Sequence, residues 1–358
     1  MKITIQMEYF IKQSFGGIPR YLEAVTSRLI NDVDLEGMVY QRNIADENEF
    51  KFVTKLNESN RHTAKLICIF KYYLSFFFKK KRLVHDSKSV LWLPVPSTLE
   101  TKGKNYSSKV ITVHDVGPID VPQYYDRKTT FLWRIYLHAN LYDCDHIIVP
   151  SNFTKRRLLV KIDFPEDKIT VVPHGVELKK NTAVKYKNEK SYFFYLGPLS
   201  LKKNSDNLIR AVRLLSETID FQLIIVGENL GLEPETQKIL DYLKERKIIK
   251  FLYKIPDDEL IALYENAIAT IVPSRYEGFG LPILEAARHS SCVIASDIDV
   301  FTELDVPGVN FFETENYQSL CDLLIKAVGG ELQSPALNAE TYNWNKSASG
   351  HLAVFEAL

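Results

Sequence analysis

Cysteine is scarce in this sequence and unpaired. Cys68, Cys144, Cys292 and Cys321 are scattered through 358 residues without a C-x-x-C spacing. That argues against a zinc ribbon, a dithiol redox site or a disulfide-stapled scaffold, and it fits a reducing, cytoplasmic compartment. Net charge is also lacking, because 45 Lys and Arg balance 45 Asp and Glu. No global basic field exists to supply non-specific nucleic-acid affinity, so nucleic acid is not an expected partner. No apolar run approaches the roughly 18 residues of a spanning helix, and Glu8 interrupts the stretch where a signal peptide needs its apolar core. Neither secretion by that route nor a transmembrane anchor is expected. Repeats and low-complexity tracts are missing, and the local exception to mixed charge is Lys79, Lys80, Lys81 and Arg82.

What is present is ordinary globular composition, 46% hydrophobic and 25% charged, in a chain long enough for about two domains. Short apolar runs alternate with helix-length amphipathic segments, the pattern of βα units building parallel sheets. Strands are expected at 2–7, 37–41, 90–94, 110–113 and 146–149, then at 192–196, 222–226, 249–252, 269–272, 293–295 and 309–311. These are too many for one compact sheet, and the polar, lysine-rich stretch 176–190 between the two sets reads as a linker. The expected fold is α/β, with two doubly wound Rossmann-like domains, 1–178 and 179–358, facing a central cleft; a last helix packing back on the first domain is part of that expectation. Ligands of such sheets bind at the carboxyl ends of the strands.

The strongest local signal is the stretch 273–286, PSRYEGFGLPILEA. A strand ends at Pro273, a glycine loop follows, and Pro282 falls where a first helical turn tolerates proline. The backbone amides of Phe279, Gly280, Leu281 and on to Ile283 are expected to face the cleft as an anion site, with Gly278 beside them in the donor site. Glu277 and Glu285 flank it. Carboxylates accept from paired sugar hydroxyls, so amides for a diphosphate between two such acids would hold a nucleotide-sugar. A glycine loop beside a solvated helix glutamate is the plainer explanation of a bare pair of acids, and the whole string outweighs it.

This string resembles the Glu, seven residues, Glu motif of the family 4 retaining glycosyltransferases, whose fold is GT-B. The likeness runs through FGGIPRY at 15–21, VHD at 113–115, IVPSNFT at 148–154, VPHGV at 172–176, YLG at 195–197 with KKN at 202–204, and YNW at 342–344. The resemblance implies an acceptor-binding first domain and a donor-binding second domain. It implies that Glu277 contacts donor-sugar hydroxyls, Glu285 the nucleotide ribose, and Lys203 the diphosphate, where charge builds as the leaving group departs. The matching histidine, His114, is expected beside the donor sugar with Asp115 as its neighbour or a helix cap. Gly16 and Gly17 are expected to let backbone approach a phosphate or the sugar. Where the family often has an arginine after the glycine matching Gly197, Pro198 stands, so Lys202 is expected to share the phosphate charge. Ser290, Cys292 and Tyr253 replace a glycine, a proline and a glycine common in the family, which leaves the nucleotide base open.

Asp143-Cys144-Asp145 imitates a metal-binding D-x-D motif but closes a helical segment before a strand, and it reads as structural. No metal and no cofactor is expected. Residues 66–84, LICIFKYYLSFFFKKKRLV, could seat a helix at an anionic leaflet or be a buried helix with a solvated end. The expected activity is retaining, metal-independent transfer of a hexose from a GDP- or UDP-sugar, GDP-mannose first. Its expected acceptor is a lipid-linked oligosaccharide or surface polysaccharide precursor. A nucleotide-sugar epimerase of similar fold and an inactive sugar-binding subunit are the alternatives.

Overall fold

The structure is a computed structural model, and it describes residues 1–6, 17–39, 42–44, 89–96, 106–177, 188, 190–289, 291–338 and 340–358. The segment 66–84, expected either at a membrane or as a buried helix, and Gly16, Ser290 and most of the linker lie outside the described residues.

Two sheets form. The first contains β1 (Lys2–Gln6), β2 (Asp34–Val39), β3 (Arg42–Ile44), β4 (Ser89–Leu93), β5 (Ser108–Thr112), β6 (His146–Val149) and β7 (Ile169–Val171), in the order β3-β2-β1-β4-β5-β6-β7. All pairs are parallel except the β2–β3 hairpin. The second contains β8 (Tyr192–Leu196), β9 (Gln222–Val226), β10 (Ile249–Leu252), β11 (Thr270–Val272), β12 (Val293–Ser296) and β13 (Asn310–Phe312). Its order, β10-β9-β8-β11-β12-β13, is that of a doubly wound dinucleotide-binding sheet. Both sheets reverse direction of strand growth once, between β1 and β4 and between β8 and β11. Those reversals are where the loops diverge and leave a crevice.

Parallel sheets need apolar residues on both faces. β8 shows how: Tyr192 and Phe194 enter one core cluster, while Phe193 and Tyr195, pointing the other way, enter a second. All four are buried, and burial of each ring contributes about 1.5–3 kcal/mol. The helices that cover these faces are α1 (Gly17–Leu29), α2 (Gly117–Asp120), α3 (Arg127–Leu141) and α4 (Asn152–Leu159) in the first half. In the second half they are α5 (Ser205–Leu215), α6 (Pro234–Glu245), α7 (Asp257–Asn266), α8 (Leu281–Arg288), α9 (Asp299–Glu303), α10 (Tyr317–Val328) and α11 (Trp344–Glu356).

α11 leaves the second sheet and packs on α1. Asn343 caps it, its side chain accepting from the Lys346 amide at 2.8 Å. Its buried residues Trp344, Ala348, Val354 and Phe355 share a core cluster with Ile3, Ile5 and Tyr21. The return passes so close to Gly175 that a Cβ there would lie 2.2 Å from the Trp344 nitrogen.

Candidate active site

The loops at the two sheet reversals carry the expected residues. The β8–α5 loop bears Lys202 and Lys203, and the β11–α8 loop bears Glu277 through Gly280. Their shape has identifiable causes. Arg275 ties them together: its amide donates to the Lys202 carbonyl at 2.9 Å, and its guanidinium donates to the Leu201 carbonyl, Asp206 and Glu315. Asn204 closes the lysine loop in a left-handed conformation at φ 54°, its side-chain amide donating to the Thr314 carbonyl at 2.6 Å.

Glu277 accepts on Oε1 from Lys203 Nζ and, at 2.8 Å, from the Ser274 hydroxyl. Burial pushes its carboxyl up, but Lys203 and Lys202 more than reverse this and hold it below the ordinary value. Lys202 itself reaches across the cleft to Asp115 Oδ2 at 3.0 Å. Burial opposes its charge, and Asp115 and Glu277 restore it, leaving the ammonium firmly protonated. Asp115 also accepts from the Gly117 amide at 3.0 Å, so it holds the loop that leads into α2 and pairs with a cation from the other sheet at once.

α8 starts at Gly280, whose φ of +123° suits glycine alone, and a Cβ there would meet Leu304 at 2.9 Å and Phe301 at 3.1 Å. The anion site is narrower than the sequence implied: Pro282 has no N–H, and the Ile283 amide donates to the Gly280 carbonyl at 3.0 Å. The amides of Phe279, Gly280 and Leu281 remain. The Phe279 ring is turned into the core, edge-on to His174 at 5.1 Å. Gly278 presses on the first domain. Its carbonyl accepts from Ser151 and Thr154 hydroxyls at 2.7 and 2.9 Å, and a Cβ would lie 1.9 Å from the His114 carbonyl oxygen.

Glu285 lies one turn into α8 and is buried. Its Oε2 accepts from Tyr264 Oη at 2.8 Å and its Oε1 from Arg20 Nη1 at 3.0 Å. Burial raises its carboxyl above the ordinary value, with Arg20 opposing. Gly17 opens α1 directly opposite, where a Cβ would sit 3.4 Å from Leu281 Cδ1.

His114 follows β5 and is enclosed. Nε2 donates to the Pro94 carbonyl at 2.9 Å, since a carbonyl can only accept, and Nδ1 therefore accepts from His174 Nε2 at 3.2 Å. Burial pushes His114 down to about 4, so the ring is neutral near pH 7. With both nitrogens engaged, a sugar hydroxyl reaches the imidazole only by displacing one of these bonds. Asp143 and Asp145 are held by Lys109, the first accepting from its Nζ at 2.7 Å and the second from its amide at 2.8 Å.

Arg20, Asp115, His174 and Arg275 are the contributors that residue-type reasoning passed over or gave a lesser role. Arg20 and Glu285 are 265 positions apart, and no spacing rule connects them.

Two facing doubly wound domains, joined by contacts at the carboxyl ends of their strands, make this a GT-B fold. The model of glycosyltransferase family 4 matches residues 16–180 and that of the glycosyl transferases group 1 matches residues 178–344. The chain belongs to the family 4 glycosyltransferases. It is 29% identical over 212 residues to the O-antigen chain mannosyltransferase RfbU of Salmonella typhimurium, with 59% of this chain and 58% of that one covered. The match thus spans a little over half of that relative's length. The O-antigen chain mannosyltransferase B of Escherichia coli is 24% identical over 322 residues, covering 85% and 84% of the two chains. Among solved structures, the apo form of the lipopolysaccharide outer core galactosyltransferase WaaB aligns over 100% of both chains with a TM-score of 0.61 at 15% identity, a likeness of fold.

Proposed function

We propose that the chain is a retaining hexosyltransferase that moves a sugar from a nucleotide-diphosphate donor to a hydroxyl of a lipid-linked oligosaccharide or polysaccharide precursor, in a cytoplasmic setting. The observation that carries this is the juxtaposition of Lys203 with Glu277 beside the amides that open α8, and of buried Glu285 one turn further on. Residues 1–178 would hold the acceptor and 179–358 the donor. Lys203 and the amides of Phe279, Gly280 and Leu281 take the diphosphate, Glu277 the sugar, and Glu285 the ribose. Lys202, bound to Asp115, holds the acceptor side against the donor side and adds positive charge. His114 and Gly278 shape the floor, and Gly17 the roof.

In the proposed step the bond from the anomeric carbon to the diphosphate oxygen breaks, and the acceptor oxygen bonds to that carbon on the same face. The leaving diphosphate oxygen takes the acceptor's proton, and Lys203 offsets its growing charge. Asp143 and Asp145 are committed to Lys109, so this chemistry is assigned to cations and amides without a metal. Activity in EDTA should therefore equal that without it; loss on chelation, restored by Mn²⁺ or Mg²⁺, would assign the diphosphate to a metal.

GDP-mannose is the first donor to test, since the two curated relatives above are described as mannosyltransferases. Thermal shift with GDP, UDP and their sugars tests the reading, because a ligand bound only by the native state raises the melting temperature. Release of nucleoside diphosphate distinguishes transfer from epimerisation, and absence of any shift or turnover would leave a non-catalytic subunit.

Contact with an anionic membrane is supported by α3. Phe131, Ile135 and Tyr142 are 63%, 40% and 94% exposed, and they share a face with exposed Arg127, Lys128 and Arg134. α3 itself contains no carboxylate.

A further inference from the structure

We propose that Arg20 is a positioning residue of the donor site: anchored in the first domain, it fixes the Glu285 carboxylate across the cleft, so that domain closure and capture of the donor's ribose become one event. This rests on the donor-site reading above.

The stem of Arg20 has little freedom. α1 buries Pro19, Tyr21, Leu22 and Val25 in the first domain, and Tyr21 Oη is hydrogen-bonded to Thr112 Oγ1 at 3.1 Å and to His351 Nε2 at 2.6 Å. From that base the guanidinium forks between two helices of the second domain. Nη1 donates to Glu285 Oε1 at 3.0 Å on α8, and Nη2 donates to Asp257 Oδ1 at 2.7 Å in the first turn of α7. Asp257 is well placed there, because a helix amino terminus favours negative charge. The planar fork serves both carboxylates, which a lysine ammonium would not match.

Glu285 has its orientation set on both oxygens, by Arg20 on Oε1 and Tyr264 on Oε2. Each carboxylate oxygen can accept two hydrogen bonds, so a pair of ribose hydroxyls can still be accepted without displacing either partner. That acceptance needs the ionised carboxylate. Three charged or titratable groups face it: Arg20 favours the charge, Tyr264 favours it by its hydrogen bond, and Asp257 opposes it, while burial opposes it most. The favourable cation comes from the other domain. When the domains part, Glu285 loses it and becomes easier to protonate; when they close, it is restored as a ribose acceptor.

The test measures donor KM, kcat and the pH dependence of kcat/KM in Arg20→Gln, Arg20→Lys, Glu285→Gln and the double variant Arg20→Gln/Glu285→Gln. Losing a hydrogen bond to a charged group predicts a donor KM raised roughly tenfold or more in Arg20→Gln, with a smaller change in kcat. The acid limb of kcat/KM should move to higher pH, because the neighbouring cation that held the carboxyl down is gone. Arg20→Lys keeps the cation and should return that limb toward its original place, which a merely structural role would not require. The double variant should be no worse than Glu285→Gln alone. A lowered donor KM in Arg20→Gln would show that the arginine competes with the ribose, and it would overturn the inference. An unmoved acid limb, or additive losses in the double variant, would do the same. If Glu285→Gln itself leaves donor affinity unchanged, the donor-site reading falls and this inference with it. If that variant behaves as expected while an Arg20 result is among those contrary ones, the inference alone falls.

Discussion

The two glutamates of the motif sit in opposite electrostatic settings, and that difference separates their roles. Glu277 is held ionised by Lys203 and Lys202. Its folded value is lowered, so the stability it contributes is present above the ordinary glutamate value and lost as pH falls through the lowered one. Glu285 is raised by burial, so it favours the folded state at low pH and loses that contribution as pH rises through its folded value. The pH profile of kcat/KM reports the free enzyme, so its acid limb should lie above the ordinary glutamate value and vanish in Glu285→Gln. His114, pushed down to about 4, should add no titration near neutrality. Glu277→Gln should lower kcat, because a donor ring acquiring positive charge is stabilised most in the transition state. Glu285→Gln should mainly raise the donor KM. One charged hydrogen bond is worth about 1.5–3 kcal/mol, or roughly ten- to a hundredfold in either constant. Steady-state kinetics on both variants checks this, and effects within about twofold would remove the assignment. The motif made these two residues legible because loop glycines and acids recur together in sequence. Arg20 was not legible as their partner, because its meaning depends on a residue 265 positions away.

At the scale of elements, strands with continuous apolar runs could be read to the residue. β6, β8, β9 and β10 coincide with their expected bounds. β3 and β7 were passed over: each has three residues and lies at an edge of the first sheet, so neither needs the apolar run that marks a buried strand. β2 begins at Asp34 rather than 37 because its pairing with β1 starts at Lys2 opposite Asp34, a register that its charged first residues conceal. The start of α8 was legible from Gly280 and Pro282, and it offers a direct test. Gly280→Ala would force a φ of +123° on an L-residue and drive a Cβ to 2.9 Å from Leu304. It should cost about 1–3 kcal/mol of stability and weaken donor binding, because the amides of the phosphate site move with it. Gly231→Ala is the control: its φ is +109° but nothing lies within 4 Å of a Cβ. Melting temperature and donor KM together should show the second variant losing stability alone.

At the scale of the molecule, the placement of α3 and the return of α11 define what each domain can face. α11 covers α1 and belongs to the first domain's core, so the terminal YNW stretch acts as a tie between domains. α3 and Tyr142 at its carboxyl end instead present three large side chains and three cations to solvent. No helix among the described residues is long and apolar enough to cross a membrane, so attachment through such a face would be peripheral. A cation near an anionic surface contributes about 1 kcal/mol, and three together would shift the partition constant roughly a hundredfold. That attraction is screened as the Debye length falls from about 10 Å at 0.1 M salt to about 3 Å at 1 M. Binding to phosphatidylserine vesicles should therefore be strong at low salt, weak at high salt, and weak on zwitterionic vesicles at any salt. Changing Arg127, Lys128 and Arg134 together to Gln should remove the salt-sensitive part, while Phe131→Ser with Ile135→Ser should weaken what high salt leaves. All five side chains are exposed, so the melting temperature should hold. The basic run at 79–82 lies outside the described residues, and neutralising it in a parallel variant separates its share. If vesicle binding survives the α3 changes and disappears only when 79–82 is neutralised, α3 is an ordinary solvated helix and the membrane face lies elsewhere.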